Sequence, residues 1–150
     1  MTRCIEVLLS IPDNEALTAL ATLQRLGVDV AALERGDLYR CDVDAPEAER
    51  LVETLRGLET VFNPNKHVLR VREDDRPGRG EVWIDEIASG EHPAGGPVRI
   101  AGRVLPGVHG LERFTAWRLF SERDQPAGPE VVAAATETLL CNPAFQKATR

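Results

Sequence analysis

Apolar and polar residues alternate at the start of the chain. Within residues 3–11, Ile5, Val7, Leu9 and Ile11 occupy every second position, and this period of two predicts a half-buried β-strand. The spacing then changes to that of a helix, with Asp13 placed as its N-cap and Gly27 at its end. The apolar residues of this helical stripe are Ala16, Leu20, Leu23 and Leu26.

Two short alternating runs, 28–32 and 39–43, flank a polar stretch that contains Gly36, and they predict a β-hairpin. A second helix is predicted after Asp44, which opens an Asp-x-x-Glu capping pattern, and a further strand is predicted within 67–72. The resulting order is strand, helix, strand, strand, helix, strand. This order is typical of an antiparallel sheet with two helices on one face, the ferredoxin-like pattern.

The two predicted helices are expected to cover the same face of that sheet. Their apolar stripes would then meet in one hydrophobic core. The residues expected in this shared core are Leu20, Leu23, Leu51 and Leu55.

A charged segment with a proline and two glycines, residues 74–81, is predicted to be a linker. The chain beyond it again mixes strand and helix patterns. The elements predicted there are strands at 82–87 and 98–105, a loop at 90–97, helices at about 110–121 and from Pro129, and a short strand near Phe145.

The two halves of the chain end alike. Residues 59–64 read Glu-Thr-Val-Phe-Asn-Pro, and residues 137–143 read Glu-Thr-Leu-Leu-Cys-Asn-Pro. Both sequences fall where the last predicted helix of a half gives way to its last strand. A shared motif at the same point of a similar element order indicates a degenerate duplication.

Short motifs in both halves match one family. In the first half they are Leu-x-x-Leu-Gly-Val-x-Val at 23–30, Leu-x-x-Gly at 33–36 and Phe-Asn-Pro at 62–64. In the second half they are Leu-Pro-Gly-Val at 105–108 and Leu-Leu-Cys-Asn-Pro-Ala-Phe at 139–145. Together they resemble the PurS subunit of phosphoribosylformylglycinamidine synthase.

The resemblance implies two PurS-like units in tandem, because one family unit is about half as long as this chain. The first unit would cover residues 1–73 and the second, degenerate unit residues 82–150, joined by the linker at 74–81. The second unit shows no evident hairpin. The implied fold class is α+β, with ferredoxin-like units whose sheet is mainly antiparallel and carries helices on one face.

The family also implies a function. The synthase uses ATP and glutamine-derived ammonia to convert a formylglycinamide ribonucleotide to its amidine in de novo purine biosynthesis. Family members are not known for catalytic residues of their own. The resemblance therefore implies a non-catalytic subunit or assembly module that bridges the synthetase and glutaminase subunits, with self-association as a further expectation and no cofactor.

The charge balance and the cysteines bear on the partners and the compartment. A net charge of −6 with scattered arginines disfavours nucleic acid, and no apolar run reaches the ~20 residues that span a bilayer. No signal peptide is expected, since Glu6 interrupts the first apolar stretch. Three distant cysteines suit a reducing compartment, so the expected location is the cytoplasm.

Few residues offer a binding or reaction site. The best candidate is an anion-binding turn between a strand and a helix, formed by Gly107, His109 and Gly110, although a plain turn is the simpler interpretation. The pairs Asp74-Asp75 and Asp85-Glu86 look like paired carboxylates but are expected to be solvated. The three histidines lack the spacing of metal ligands, so no metal site is expected.

The cysteines and tryptophans each have two interpretations. Cys41 is a potential nucleophile, but its place on the apolar face of a strand favours a buried structural thiol, and Cys141 has the same simple interpretation. Trp83 and Trp117 are candidates for an interface, and core packing is the alternative for both.

Two other classes of function stay open at this point. One is a stand-alone ferredoxin-like regulatory protein that binds a small ligand. The other is a small enzyme with its site between the two halves. The sequence names neither a ligand nor a substrate for them.

Overall fold

The structure, a computed structural model, describes residues 1–86, 98–100, 102–122 and 124–150. These residues form an α+β fold with a mainly antiparallel sheet and three α-helices. The elements in chain order are β1 (Thr2–Leu9), α1 (Asn14–Arg25), β2 (Ala32–Val43), α2 (Ala45–Arg56), β3 (His67–Arg72), β4 (Glu81–Glu86), β5 (Arg99–Ile100), β6 (Arg103–Val104), β7 (Val108–Glu122), β8 (Gln125–Pro126), α3 (Pro129–Ala135), a π-helical turn (Thr136–Leu140) and β9 (Gln146–Thr149).

The first helix begins and ends where the sequence predicts. Asp13 caps it, because its Oδ1 accepts hydrogen bonds from the backbone N–H groups of Glu15 (3.1 Å) and Ala16 (3.2 Å). Gly27 follows the helix with a φ of +85°, a left-handed conformation that glycine adopts without strain. None of the described helices is long and apolar enough to cross a membrane.

The chain folds into two compact units. Unit 1 contains residues 1–11 and 37–75 together with the described residues of 98–113. Its strands follow the order β3-β1-β2-β7, and α2 packs on them. Its core is formed by Ile5, Val7, Tyr39, Cys41, Val43, Ala48, Leu51, Leu55, Leu58, Val61, Val98, Leu105 and Val108.

Unit 2 contains residues 12–36 and 114–150, apart from the undescribed residue 123, and residues 76–86. Its strands follow the order β2-β7-β4-β9, with β8 paired to β7. Helices α1 and α3 pack in its core, which is formed by Ala16, Leu23, Val30, Val82, Ile84, Trp117, Leu119, Ala127, Val132, Ala135 and Leu140. Each unit therefore draws on both sequence segments that flank the predicted linker.

The expectation of one shared leucine core is wrong. Leu51 and Leu55 are buried in the core of unit 1, whereas Leu23 is buried in the core of unit 2 with Leu20 packed against it. The reason is that the two helices belong to different units. Amphipathic spacing identifies the buried face of a helix but not the sheet that covers it.

The predicted hairpin around Gly36 is also wrong, because β2 is a single strand of 12 residues. Gly36 has no positive φ, and the polar residues beside it have ion-pair partners. In unit 2, Arg35 binds Asp13 through Nε at 3.0 Å, and in unit 1, Asp37 lies 3.8 Å from a guanidinium nitrogen of Arg113. The polar run therefore marks paired side chains within a strand and not a turn.

The helix predicted at about 110–121 is a strand, since β7 extends over 15 residues. Its part in unit 2 is buried on both faces. Trp117 and Leu119 enter the core of unit 2, while the ring of Phe114 contacts that of Trp83 at a tilt of 44°, with centroids 5.4 Å apart. A strand that is buried on both faces does not alternate between apolar and polar residues. Its apolar residues three positions apart therefore have the spacing that is typical of a helix.

The remaining elements lie close to their predicted places, with one exception. The strands β3 and β4 and the helix from Pro129 are confirmed. The strand predicted at 98–105 is instead the short hairpin of β5 and β6, which turns at Gly102 with a φ of +78°. The predicted loop at 90–97 lies outside the described residues.

Candidate functional site

The turn that precedes β3 is built around Asn63. Its side-chain Oδ1 accepts the N–H of Asn65 (2.9 Å), and its carbonyl accepts the N–H groups of Lys66 (3.0 Å) and His67 (2.8 Å). Its own N–H donates to Nδ1 of His67 (2.8 Å). The side chain of the first residue of β3 thus closes the turn.

The turn that precedes β9 has the same hydrogen bonds around Asn142. Its Oδ1 accepts the N–H of Ala144 (3.0 Å), and its carbonyl accepts the N–H groups of Phe145 (3.2 Å) and Gln146 (2.8 Å). Its own N–H donates to Oε1 of Gln146 (2.8 Å). Here Gln146, the first residue of β9, takes the place that His67 has in the other turn.

A pocket of about 290 Å³ lies in unit 1. Its lining combines the start of β1, the second half of β2, the segment that follows β3 and the start of β7. The residues that line it are Thr2, Arg40, Cys41, Asp42, Asp75, Gly110, Leu111 and Glu112. Its volume is at the lower end of the range for small-molecule sites.

Arg40 is the central cation of this pocket. Its guanidinium makes a bidentate pair with the carboxylate of Glu112, with Nη2 at 2.9 Å from both oxygens, and Nη1 donates to the carbonyl of Asp75 at 3.0 Å. The hydrogen bonds to Glu112 raise the pKa of Arg40 above its ordinary value. Arg40 therefore ties the segment after β3 to two strands of unit 1.

Two buried thiols lie near Arg40. Burial raises the pKa of Cys4, although the positive charge of Arg40 opposes this shift. Burial, with a smaller contribution from Cys4, raises the pKa of Cys41 to about 12. All three cysteines are free, and Cys141 is the one that is partly exposed. Cys41 is therefore a structural thiol and not an activated nucleophile.

A buried carboxylate on β1 forms a second charged cluster in unit 1. Glu6 is fully buried and forms ion pairs with Nη2 of Arg70 and Nη1 of Arg72, the latter at 3.6 Å. The register of β1 and β3 places Glu6 directly opposite Arg70. Opposite charges that face each other across two strands stabilise this pairing, and removing one partner of a buried pair is costly.

The candidate anion turn does not lead into a helix. Gly107 has a φ of +70°, its carbonyl accepts the N–H of Asp44 (2.9 Å), and a side chain there would overlap Glu47. His109 places Nε2 2.9 Å from a carboxylate oxygen of Asp44, and Gly110 lies in β7 beside Asp42. The prediction of a helix after this turn is wrong. The carboxylates of Asp42, Asp44 and Glu47 lie near the turn and disfavour the binding of an anion.

The two tryptophans lie in unit 2. Trp83 is fully buried in β4, and its Nε1 donates to a carboxylate oxygen of Glu81 at 3.2 Å. Trp117 is 9% exposed, and the guanidinium carbon of Arg35 lies 5.8 Å from its ring centroid. Both rings pack inside this unit, so neither offers an exposed aromatic surface to a partner.

The charged residues around Arg40 were missed by sequence analysis. Arg40, Asp75 and Glu112 come from three distant segments, and no local spacing connects them. In the sequence, Asp75 stands out only as one of two adjacent carboxylates in a predicted linker. Pairing of β2 with β7 brings the other two residues together, and strand pairing of this kind is not encoded in a local pattern.

The described part of the chain contains no group of three or more histidine, cysteine, aspartate or glutamate side chains placed to hold a metal ion. No family model, no curated protein and no solved structure matches the chain.

Proposed function

We propose that this chain is a non-catalytic subunit of phosphoribosylformylglycinamidine synthase. It bridges the synthetase and glutaminase subunits. Each sequence half supplies one PurS-like repeat, and these repeats are not the same as the compact units 1 and 2. The observation that carries the proposal is the pair of turns at Asn63 and Asn142, each of which has the same four hydrogen bonds. The Asn-Pro motif that occurs in both sequence halves thus has the same hydrogen-bond geometry in both.

The correspondence extends into the strands that follow the turns. In unit 1, β3 pairs antiparallel with β1, and His67 lies opposite Leu9. In unit 2, β9 pairs antiparallel with β4, and Gln146 lies opposite Glu86. In each half of the sequence, the last strand therefore pairs with the first one and begins four residues after the asparagine.

The order of the other elements supports the same interpretation, with one departure. A long strand, β2 or β7, precedes a helix with a proline in its first turn in both halves. Helix α1 lies between the first two strands of the first half, whereas the described residues between β4 and β7 form the hairpin of β5 and β6. This asymmetry would let the two halves contact different partners.

The cytoplasm is the compartment that we propose. Three free cysteines, two of them buried, suit a reducing environment. The ribonucleotide substrate of the synthase carries a charged phosphate group, which keeps it inside the cell. The bridging role requires the synthetase and glutaminase subunits to be in the same compartment.

A reconstitution experiment tests the function. The purified chain is mixed with synthetase and glutaminase subunits from the same source, and complex formation is followed by size-exclusion chromatography. Amidine formation is measured with glutamine as the nitrogen donor. A parallel reaction with free ammonia is the control, since ammonia bypasses the glutaminase.

The proposal expects a complex that contains all three proteins and an increase in the glutamine-dependent rate that exceeds any change in the ammonia-dependent rate. Failure of the chain to enter a complex with the synthetase, together with no effect on the glutamine-dependent rate, would contradict the proposal.

The pocket of unit 1 favours a second candidate, a regulatory protein that binds a small ligand. Its size admits a small polar molecule, and Arg40 lies in its wall. Thermal unfolding in the presence of a metabolite panel tests this alternative, because a ligand that binds only the folded state raises Tm. An Arg40→Gln variant whose Tm no longer responds to that ligand would assign the effect to this pocket.

A further inference from the structure

Strand β3 is the terminal strand of its sheet. In the described part of the chain, β1 is the one strand that pairs with it, from Cys4 opposite Arg72 to Leu9 opposite His67. The ladder is antiparallel, so the residues of β3 alternate between those bonded to β1 and those directed to the other edge.

One hydrogen bond beyond the paired residues fixes this alternation. The N–H of Ser10 donates to the carbonyl of Lys66 at 2.9 Å, so position 66 belongs to the bonded set. Counting in steps of two, the backbone groups of Val68 and Arg70 also face β1. The N–H and C=O groups of Leu69 and Val71 are therefore directed to the outer edge of the sheet.

Two cations are exposed along this edge, although the chain as a whole carries a net charge of −6. Lys66 is exposed, and the side chain of Arg70 is 49% exposed while it pairs with Glu6. Residues 66–72 contain no acidic residue. Lys66 and Arg70 are four positions apart, so both lie on the same face of the strand and present positive charge there.

The same strand exposes apolar side chains. Val71 is 45% exposed and Val68 is 51% exposed, and consecutive positions of a strand alternate between the two faces of the sheet. A strand added at this edge could thus contact Val71 on one face and Val68 on the other.

We propose that β3 binds an extended acidic segment of a partner protein, which adds to the sheet as a further strand. Backbone hydrogen bonds to Leu69 and Val71 supply affinity, and carboxylates of the segment face Lys66 and Arg70. This inference rests on β3 alone and does not depend on the proposed function.

Charge disfavours a second copy of the chain as the occupant. Pairing β3 with β3 of another molecule would place arginines and Lys66 near their own copies. The terminal strand of unit 2, β9, carries Lys147 and is followed by Arg150, so it is positive too. Cations on an edge strand oppose pairing between copies, whereas an acidic segment is attracted.

A peptide titration tests the proposal. The probe is a fluorescein-labelled, end-blocked heptapeptide of alternating glutamate and valine, and its control has lysine in place of glutamate. Binding is followed by fluorescence anisotropy at low and high salt, and the amide resonances of the chain are followed by heteronuclear NMR. We expect the acidic peptide to bind at least about tenfold more tightly than the basic one, with weaker binding at high salt.

Two variants locate the site. Val71→Pro removes an outward N–H without removing a bond to β1, and it should weaken acidic-peptide binding by about tenfold. Val71→Glu keeps the backbone N–H and adds a negative charge that repels the acidic peptide, so it should also weaken binding. It therefore tests the site independently if the proline variant folds poorly. Leu17→Glu adds the same charge at an exposed leucine of α1 and should leave binding unchanged.

The proposal is overturned if both peptides bind equally or not at all, or if the amides of Leu69 and Val71 do not shift. It is also overturned if both Val71 variants bind like the wild type. A dimer that forms with rising protein concentration and is lost in Val71→Glu would assign the edge to a second copy instead.

Discussion

The turns at Asn63 and Asn142 show how two different side chains can serve one backbone geometry. An imidazole nitrogen of His67 and an amide oxygen of Gln146 each accept the N–H of the asparagine four residues earlier. The sequence predicted both turns from the Asn-Pro dipeptide. It did not predict the closing bonds, because histidine and glutamine share an acceptor but no common sequence pattern.

These closing bonds predict that one acceptor can replace the other. His67→Gln should unfold with a free energy close to that of the wild type, because glutamine also supplies an acceptor, whereas His67→Ala should lower it by about 1 kcal/mol. Urea unfolding at neutral pH measures both variants.

Gln146→His and Gln146→Ala are the reciprocal variants in the other turn. Gln146→His should keep most of the stability, because it places an imidazole acceptor there, and Gln146→Ala should lose about 1 kcal/mol. Equal unfolding free energies for the wild type and both alanine variants would show that neither closing bond contributes to stability.

The cysteines predict a selective reaction with alkylating reagents. Because the pKa of Cys41 is about 12, only about one molecule in 10,000 carries the reactive thiolate at pH 8. Cys4 and Cys41 are also buried, whereas Cys141 is partly exposed. Iodoacetamide treatment followed by mass spectrometry should therefore find one modified cysteine, Cys141, in the native protein and three in urea. Rapid native modification of Cys41 would contradict its structural role.

At the scale of elements, β1, β3, α1 and α2 could be predicted because their apolar residues recur at the spacing of a strand or a helix. Strand β4 could be predicted because Val82, Trp83 and Ile84 all have a high β-propensity. Two predictions failed for physical reasons. The second half of β7 is buried on both faces, so the period of two is hidden there. The charged residues in the middle of β2 have ion-pair partners within their own units, so their polarity does not mark a turn. Both failures concern the long strands, whose residues are shared between the two units.

The packing of the helices predicts how leucine truncations affect stability. Leu55 of α2 and Leu23 of α1 are fully buried in different cores, so replacing either with alanine should lower the free energy of unfolding by about 2–5 kcal/mol. Leu17 of α1 is 57% exposed, and Leu17→Ala should change it by less than about 0.5 kcal/mol. Chemical denaturation measures all three variants.

A loss below about 1 kcal/mol for both buried leucines would contradict this packing, since a truncation in a filled core leaves a cavity. A loss for Leu17→Ala as large as that for Leu23→Ala would show that the buried face of α1 is assigned incorrectly.

At the scale of the whole molecule, no pattern in the sequence shows which segments form each compact unit. Residues 98–113 share the core of unit 1 with residues 1–11 and 37–75, and α1 belongs to unit 2. The charged pocket of unit 1 depends on this mixing of distant segments, because its residues Arg40 and Glu112 come from opposite sides of the predicted linker. Local patterns carry no information about which distant segments pair, so this part of the site was not predictable.

The central claim is that each compact unit is built from residues of both sequence halves. Because neither residues 1–75 nor residues 76–150 contain a complete unit, the two fragments should fold poorly alone. Mixed together, they should form a 1:1 complex with the 16.5 kDa mass of the intact chain and its far-ultraviolet circular dichroism spectrum. Sedimentation equilibrium of the separate and mixed fragments measures this directly. Two fragments that fold as separate monomers and do not associate when mixed would contradict the account.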